Sequence, residues 1–219
     1  SENDEEQKDA DRQENTDRKE SAEEPEDADR KESAGQQAQL QQAAPAAAPA
    51  ASTPGNGFCK NIITVINNFA DTVLNLTLKD VKIDVSNTGW ENHAGKAALN
   101  VQGEGNVEIE LDGKNELKSG YYRAGLEKNT STGTLTLKDD KEAGSGSLKA
   151  TGGKYGAGIG GGNYGSGNYG SGKNITIKGG TVTAKGGDCG AGIGGGGFSG
   201  WGQRGNAKNI IIRGHSKVK

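Results

Sequence analysis

The sequence of 219 residues lacks methionine and holds only two cysteines, two histidines and 5% aromatic residues. No apolar run approaches the ~20 residues that a membrane-spanning helix needs, so we expect no membrane span. Apolar residues in 56–219 do not recur at the helical period of 3.6, which argues against an α-helical domain. His93 and His215 stand in unrelated contexts, and no Gly-Lys-Ser/Thr precedes a helix. The sequence therefore predicts neither a histidine-centred site nor a nucleotide-binding loop.

Composition divides the chain into three parts. Residues 1–34 contain fifteen Asp/Glu against six Lys/Arg and no apolar residue larger than alanine, so we expect a disordered acidic arm. Residues 35–55 are rich in Gln, Ala and Pro, which is typical of a linker. Residues 56–219 hold 36 of the 38 glycines and are long enough for one folded domain.

The first residue is serine, and no methionine occurs anywhere in the chain. Both facts indicate a processed mature form or a fragment of a longer protein. A secretory signal would already have been removed from such a chain, so we expect an exported protein.

A seven-residue phrase occurs twice in the glycine-rich part. Gly-Ala-Gly-Ile-Gly-Gly-Gly at 156–162 returns at 190–196, and each copy leads through a Gly/aromatic loop into Lys-Asn-Ile-x-Ile. A repeat of this length indicates stacked supersecondary units. We interpret the phrase as a corner, where alanine fits a narrow inner position and the glycines permit positive φ.

Short apolar–x–apolar triplets supply the strands of each unit. They are Leu76-Thr77-Leu78, Ile109-Glu110-Leu111, Leu135-Thr136-Leu137, Ile175-Thr176-Ile177 and Ile210-Ile211-Ile212. Alternation over so few residues predicts strands whose first and third members are buried. Two further strand positions follow in several units, exemplified by Val182/Ala184 and by Ala191/Ile193. Stacking such units creates a continuous core, so we predict an all-β, parallel β-helix of about five rungs.

These residues resemble bacterial surface proteins that carry a carbohydrate-binding-domain β-helix. The likeness rests on the Gly-Ala-Gly-Ile-Gly-Gly-Gly phrase, on Lys-Asn-Ile-Thr-Ile-Lys-Gly-Gly-Thr-Val-Thr-Ala-Lys-Gly-Gly at 173–187, and on the rung at 111–120. It covers roughly 60–219 and is strongest over 111–196. The resemblance implies secretion or surface display, a right-handed parallel β-helix and polysaccharide binding. It carries over no catalytic residue, because the matching motifs are structural.

The last rung departs from the repeat. Residues 213–219 align with 178–184, so the chain stops within a rung and the final rung is incomplete. Solenoids need a polar cap over the last rung. We therefore expect a continuation of the chain or a protein partner at this end.

A basic column follows the first strand of the rungs: Lys79, Asp112, Lys138, Lys178 and Arg213. Stacked ~5 Å apart, its cations match an acidic polysaccharide. The alternative is a solvated ladder that keeps the coil soluble and prevents edge pairing. Lys138, Lys178 and Arg213 are the candidate ligand-binding residues of this column.

Aromatic residues are concentrated in the glycine-rich loops, where Tyr164 and Tyr169 precede one strand and Phe198 and Trp201 precede the next. Exposed rings mark binding surfaces and can stack on sugar faces, so these four are candidate glycan-binding residues. The alternative is that the loops fold back and seal the coil. Trp90 and the pair at 121–122 are weaker candidates of the same kind.

Signals of catalysis are sparse. A β-helix lyase needs clustered carboxylates for Ca²⁺ and a base with a pKa near neutrality. The later rungs carry Gly179 and Gly214 where earlier rungs carry acids, so we expect no enzyme and no cofactor, with a Ca²⁺-dependent lyase as the lesser alternative. Thr181 and Thr183 align with Ser147/Lys149 and with Lys217/Lys219, which excludes a regular Thr-x-Thr ice-binding array.

The two cysteines are predicted not to pair. Cys59 opens the first rung and Cys189 follows about four rungs later. At ~4.8 Å per rung the separation approaches ~20 Å, well beyond the ~7 Å limit of a disulfide.

The sequence as a whole predicts a non-enzymatic, exported β-helix that binds a polysaccharide or cell-surface glycan, or acts as an adhesin. A structural or partner-binding module, or a secreted host-directed factor, is the alternative. The acidic arm argues against nucleic acid as a partner.

Overall fold

The protein was analysed as a computed structural model, which describes residues 57–91, 93–128, 132–141, 144–162, 170–197 and 205–219. These residues form fifteen β-strands and no helix. In that part of the chain, no helix is long and apolar enough to cross a membrane. The candidate residues Tyr164, Tyr169, Phe198 and Trp201 lie outside the described residues.

Every rung contributes one strand to each of three five-stranded parallel sheets. Sheet A contains β3 (Lys82–Asp84), β6 (Lys114–Lys118), β9 (Ser147–Thr151), β12 (Thr181–Lys185) and β15 (Lys217–Val218). Sheet B contains β1 (Ile63–Ile66), β4 (Leu99–Gln102), β7 (Leu126–Glu127), β10 (Ile159–Gly160) and β13 (Ile193–Gly194). Sheet C contains β2 (Val73–Lys79), β5 (Asn106–Asp112), β8 (Leu135–Lys138), β11 (Gly172–Ile177) and β14 (Ala207–Ile212). The chain runs B, C, A in each rung, which confirms an all-β parallel β-helix of five rungs.

The core lies between the three sheets and consists of apolar columns that run through the rungs. One column on sheet B is Ile63, Leu99, Leu126, Ile159 and Ile193 in direct register. One on sheet A is Ile83, Leu117, Ala150 and Ala184. The middle members of both columns are fully buried, because each has a rung above and below it. Alternation within each short strand therefore directs the apolar columns of every sheet inward.

The register of sheet C differs from the expected alignment of the triplets by two residues. Ile109 lies opposite Leu76 in the first rung but opposite Leu137, not Leu135, in the third. The physical reason is the length of β5, which presents three inward apolar residues, Val107, Ile109 and Leu111. The shorter β8 pairs with the first two of them.

The repeated glycine phrase forms a corner, as expected. Ala157 and Ile159 are fully buried, and Gly160 and Gly194 adopt φ values of 124° and 137°. Cβ atoms are strained at such φ values, and one at Gly160 would also clash with the Gly194 carbonyl oxygen of the next rung. The phrase thus recurs because two consecutive rungs approach each other closely at this corner.

A buried asparagine ties three rungs together at the turn between sheets C and A. The Asn115 side chain accepts a hydrogen bond from the Val81 amide at 2.8 Å and donates one to the Ser147 carbonyl at 3.1 Å. It thereby satisfies backbone groups that the turn takes out of the sheet ladders.

The cysteines and the last rung agree with the expected stacking. Cys59 precedes β1 and forms an isolated parallel β-bridge with Ile83 of the first rung, and Cys189 lies between β12 and β13; both are free thiols. In the last rung, Lys217 and Val218 pair with Thr181 and Val182, as the alignment of Lys217 with Thr181 predicts, whereas the alignment of 213–219 with 178–184 is wrong by one residue there.

Candidate functional site

The candidate basic residues Lys138, Lys178 and Arg213 do stack. Each directly follows a member of the inward column Leu137, Ile177 and Ile212, and the Lys178 and Arg213 amides each donate at 2.8 Å to the rung before. The first two members of the expected column are wrong, however. Because of the register of β5, Glu110 and not Asp112 lies opposite Lys138, and Thr77 lies opposite Glu110.

Ion pairs neutralise most of this column. Lys138 Nζ lies 2.9 Å from Asp140 and 3.2 Å from Glu108, and Lys178 Nζ lies 3.7 Å from the other oxygen of Glu108. Hydrogen bonds to Asp140 and to Glu108 raise the pKa of Lys138 above its usual value. Arg213 is exposed and makes no ion pair with another described residue. The column therefore presents less free positive charge than its sequence suggests.

Asp112 and Lys79 form a separate ionic cluster. Asp112 lies 2.6 Å from Lys141 Nζ and 3.5 Å from Lys79 Nζ. The hydrogen bond from Lys141 lowers the pKa of the Asp112 carboxyl. Lys141 belongs to the longer turn between β8 and β9. The extra residues of this turn therefore supply the cation that pairs with Asp112.

A groove follows this turn over rungs three to five. Its volume is about 510 Å³. It is lined by Asp139, Asp140, Lys141, Gly144, Lys178, Gly180, Thr181, His215 and Lys217. We call it the ionic groove, because acids and bases meet there at the turns from sheet C to sheet A. Among the candidates from the sequence, it includes Lys178.

A second groove runs along the outward face of sheet A. Its volume is about 300 Å³. It is lined by Lys82, Lys114, Asn115, Glu116, Ser147, Leu148, Lys149, Thr181 and Thr183. We call it the lysine groove. Its lysines were not predicted as a site from the sequence. The predicted alignment of Thr181 with Ser147 and Lys217 nevertheless gives the correct register for part of this face.

The two grooves adjoin. Both are lined by Thr181, and together they pass from Lys82 in the first rung to Lys217 in the last. With strands about 4.8 Å apart, the joined groove extends about 19 Å parallel to the stacking direction. We call this combined surface the trough.

Aromatic rings cluster where the chain turns from sheet A to sheet B. Tyr122 and Tyr155 stack at 5.8 Å with an interplanar angle of 20°, and Tyr121 meets Tyr122 edge-on at 4.6 Å. Lys154 Nζ lies 5.3 Å from the Tyr155 ring centroid and 5.6 Å from that of Tyr121. Tyr122 and Tyr155 are nearly buried, so these two rings serve packing and offer no face to a sugar. Tyr121 is half-buried.

Trp90 is the exposed aromatic residue of the same corner. It is 63% exposed and stacks on His93 at a centroid distance of 4.5 Å. The turn that carries it is held against the second rung, because Gly95 donates to the Tyr121 carbonyl at 2.7 Å. Trp90 thus offers a flat, supported ring to solvent.

Backbone hydrogen bonds hold the glycines that flank 163–169 and the glycine that precedes 198–204. Gly162 and Gly170 are joined by a hydrogen bond of 2.7 Å. The amide of Gly197 donates to the Tyr155 carbonyl at 2.8 Å.

A buried charged cluster lies in the third rung and was not predicted. Arg123 Nη2 contacts Glu127 Oε1 at 2.7 Å, and Glu127 Oε2 accepts from the Ala124 amide at 3.1 Å. Glu127 and Lys128 are almost completely buried, and burial lowers the pKa of Lys128 to about 8. A sequence signal exists, since charged residues follow Leu126 where the fourth and fifth rungs carry Gly160 and Gly194.

Within the described ranges, no three His, Cys, Asp or Glu side chains are grouped closely enough to hold a metal ion. The acids at 139 and 140 point into networks with lysines and backbone amides instead.

Comparison with known proteins agrees with the architecture. Residues 144–163 and 175–197 match a family model described as a β-helix repeat. The matched segments run from the strands of the third rung through β13, where the glycine phrase recurs. No curated protein and no solved structure matches the chain.

Proposed function

We propose that this β-helix is a non-enzymatic, exported bacterial protein that binds a linear polysaccharide or cell-surface glycan in the trough. The observation that carries the proposal is the form of the trough. It is open and continuous over the five rungs and is lined mainly by charged and hydroxyl-bearing residues, whereas small-molecule sites are enclosed and largely apolar. An extended polymer fits such a surface, since each rung presents polar side chains at the regular spacing of the strands.

The chemistry of the lining also supports a glycan. Ser147, Thr181 and Thr183 supply hydroxyl groups along the groove, and Lys178 and Lys217 supply donors beside them. Groups of this kind bond to sugar hydroxyls without a deep pocket. The exposed ring of Trp90 adds a stacking surface at the neighbouring corner.

The test is a glycan array with the full chain and a pair of matched variants. Thr181→Met places a bulkier neutral side chain where the two grooves meet, and Thr64→Met makes the same change on the outward face of sheet B. We expect glycan binding by the wild type and by Thr64→Met, and loss of it in Thr181→Met. A triple Ala variant at Tyr164, Tyr169 and Trp201 measures what the loops contribute. Absence of a glycan signal for the wild type would retire the proposal.

Release of unsaturated uronides from an acidic polysaccharide in the presence of Ca²⁺ would instead establish a lyase. The same incubation with EDTA is its control.

A structural or partner-binding role is the second candidate, and the last rung favours it. Ile211 and Ile212 are 47% and 51% exposed, although Ile212 continues the inward column of sheet C. A pull-down whose yield falls when Ile212 is changed to Asp, with the glycan array blank, would select this role.

A further inference from the structure

The outward face of sheet A carries lysines in nearly every rung. Lys82 lies opposite Glu116 and then Lys149 in one column, and Lys114 lies opposite Ser147 in the next. Lys185 and Lys217 extend the face over the fourth and fifth rungs. Strands of a parallel sheet hold these cations at fixed intervals, so the positive charge follows the stacking direction.

The charge on this face is only partly neutralised. Asp84 of β3 pairs with Lys118 at 3.4 Å, and neither residue lines the lysine groove. Glu116 is the only acid among the residues that line the lysine groove, and it is shared by Lys149 at 3.0 Å and Lys118 at 3.7 Å. Lys82 and Lys114 make no ion pair with another described residue. The lysine groove therefore retains net positive charge beside an open polar surface.

The rest of the lining distinguishes between classes of polyanion. Hydroxyl groups of Ser147, Thr181 and Thr183 lie between the lysines, and Ser147 donates to the Gly113 carbonyl at 3.2 Å, which leaves its oxygen able to accept. None of the lining residues is aromatic, so the groove has no platform on which nucleic acid bases could stack. A chain that carries both hydroxyl groups and anions matches the alternation of lysine and hydroxyl side chains.

We propose that the lysine groove binds the carboxylate or sulfate groups of an acidic polysaccharide. Lys82, Lys114 and Lys149 contact the anions, and Thr181 and Thr183 contact the sugar hydroxyls. The inference rests on the proposed function, since it names the class of glycan that the trough selects. A neutral polysaccharide would leave the groove lysines without a partner and would be bound less well.

The experiment compares fluorescently labelled oligosaccharides by anisotropy with the full chain. The probes are an oligogalacturonate, its methyl ester, a sulfated oligosaccharide and a single-stranded oligonucleotide. The groove variant changes Lys82, Lys114 and Lys149 to Gln, and the control variant changes the exposed lysines at 60, 96 and 208 to Gln, with the same loss of charge. Thermal unfolding confirms that both variants are folded.

We expect at least one acidic oligosaccharide to bind more tightly than the ester, and the groove variant to weaken that binding about tenfold, since ion pairs at an exposed surface are each weak. The carboxylate and sulfate probes identify the preferred anion. Equal weakening by both variants, or tighter binding of the oligonucleotide, overturns the inference. Binding of the ester alone, unchanged in the groove variant, overturns it while the proposed function stands. Binding of no saccharide probe overturns both.

Discussion

The stacking of rungs makes a quantitative prediction at two isoleucines. Ile177 and Ile212 occupy the same inward column of sheet C in consecutive rungs, but they are 0% and 51% exposed. Truncation of a fully buried isoleucine to alanine costs about 2–5 kcal/mol, because it removes apolar contacts and leaves a cavity. Ile212 buries roughly half as much surface and leaves no closed cavity, so Ile212→Ala should cost about 1 kcal/mol.

The assay is equilibrium unfolding in urea, followed by far-ultraviolet circular dichroism, with thermal unfolding as a second measure. A repeat protein can unfold in more than one step, so the denaturant dependence of each variant is compared with that of the wild type before free energies are assigned. Equal losses for Ile177→Ala and Ile212→Ala would show that another surface covers the last rung. A larger loss for Ile212→Ala would refute the rung order itself.

Three further perturbations address the corners and the buried charge. Gly160→Ala should destabilise the fold far more than Gly144→Ala. Both glycines have positive φ, but only at Gly160 would a Cβ clash with backbone atoms. The denaturation midpoint of Gly160→Ala should therefore be clearly lower than that of Gly144→Ala. Asn115→Ala should lower the free energy of unfolding by about 1–3 kcal/mol, since it leaves buried backbone groups unpaired; an unchanged midpoint would contradict the bridging role. Lys128 has its pKa lowered by burial to about 8 from 10.5, so the folded state binds fewer protons than the unfolded state between these values. The free energy of unfolding should therefore rise with pH in this window in the wild type relative to Lys128→Met, and parallel curves would argue against the burial of this amine.

Local pattern was sufficient to predict most of the fold. The alternation in Ile175-Thr176-Ile177 and in Val182-Thr183-Ala184 predicts strands without knowledge of their neighbours, and both lie in strands of the structure. The repeated phrase at 156–162 and 190–196 fixes the register of the later rungs, because this corner requires positive φ values at Gly160 and Gly194 that other residues rarely adopt. The first rung has no such phrase, so β1 was not predicted.

Register was the information that the sequence lacked. The seven residues of β5 offer three inward apolar side chains, and nothing local decides which two face Leu135 and Leu137. An error of two residues there assigned Asp112 to the basic column in place of Glu110. It also concealed Glu108, which forms ion pairs with Lys138 of the next rung and with Lys178 of the rung after it.

The lysine groove was missed for a related reason. Each strand of sheet A carries one or two lysines that look like ordinary solvated side chains when the strands are read singly. Only the alignment of Lys82, Glu116 and Lys149 across three rungs shows that these cations share one face and that Glu116 is the one acid in the lining of their groove. Charge patterns in solenoids are thus properties of columns, and columns depend on register.

The most direct test of a glycan-binding trough is the dependence of affinity on ligand length. Isothermal titration of the full chain with an oligosaccharide series of one chemistry, from monosaccharide to decasaccharide, measures it. The trough extends about 19 Å over five rungs, so affinity should rise with each added sugar and then level off once the ligand spans it. A monosaccharide that binds as tightly as the longest oligomer, or a series without binding at any length, would contradict the account.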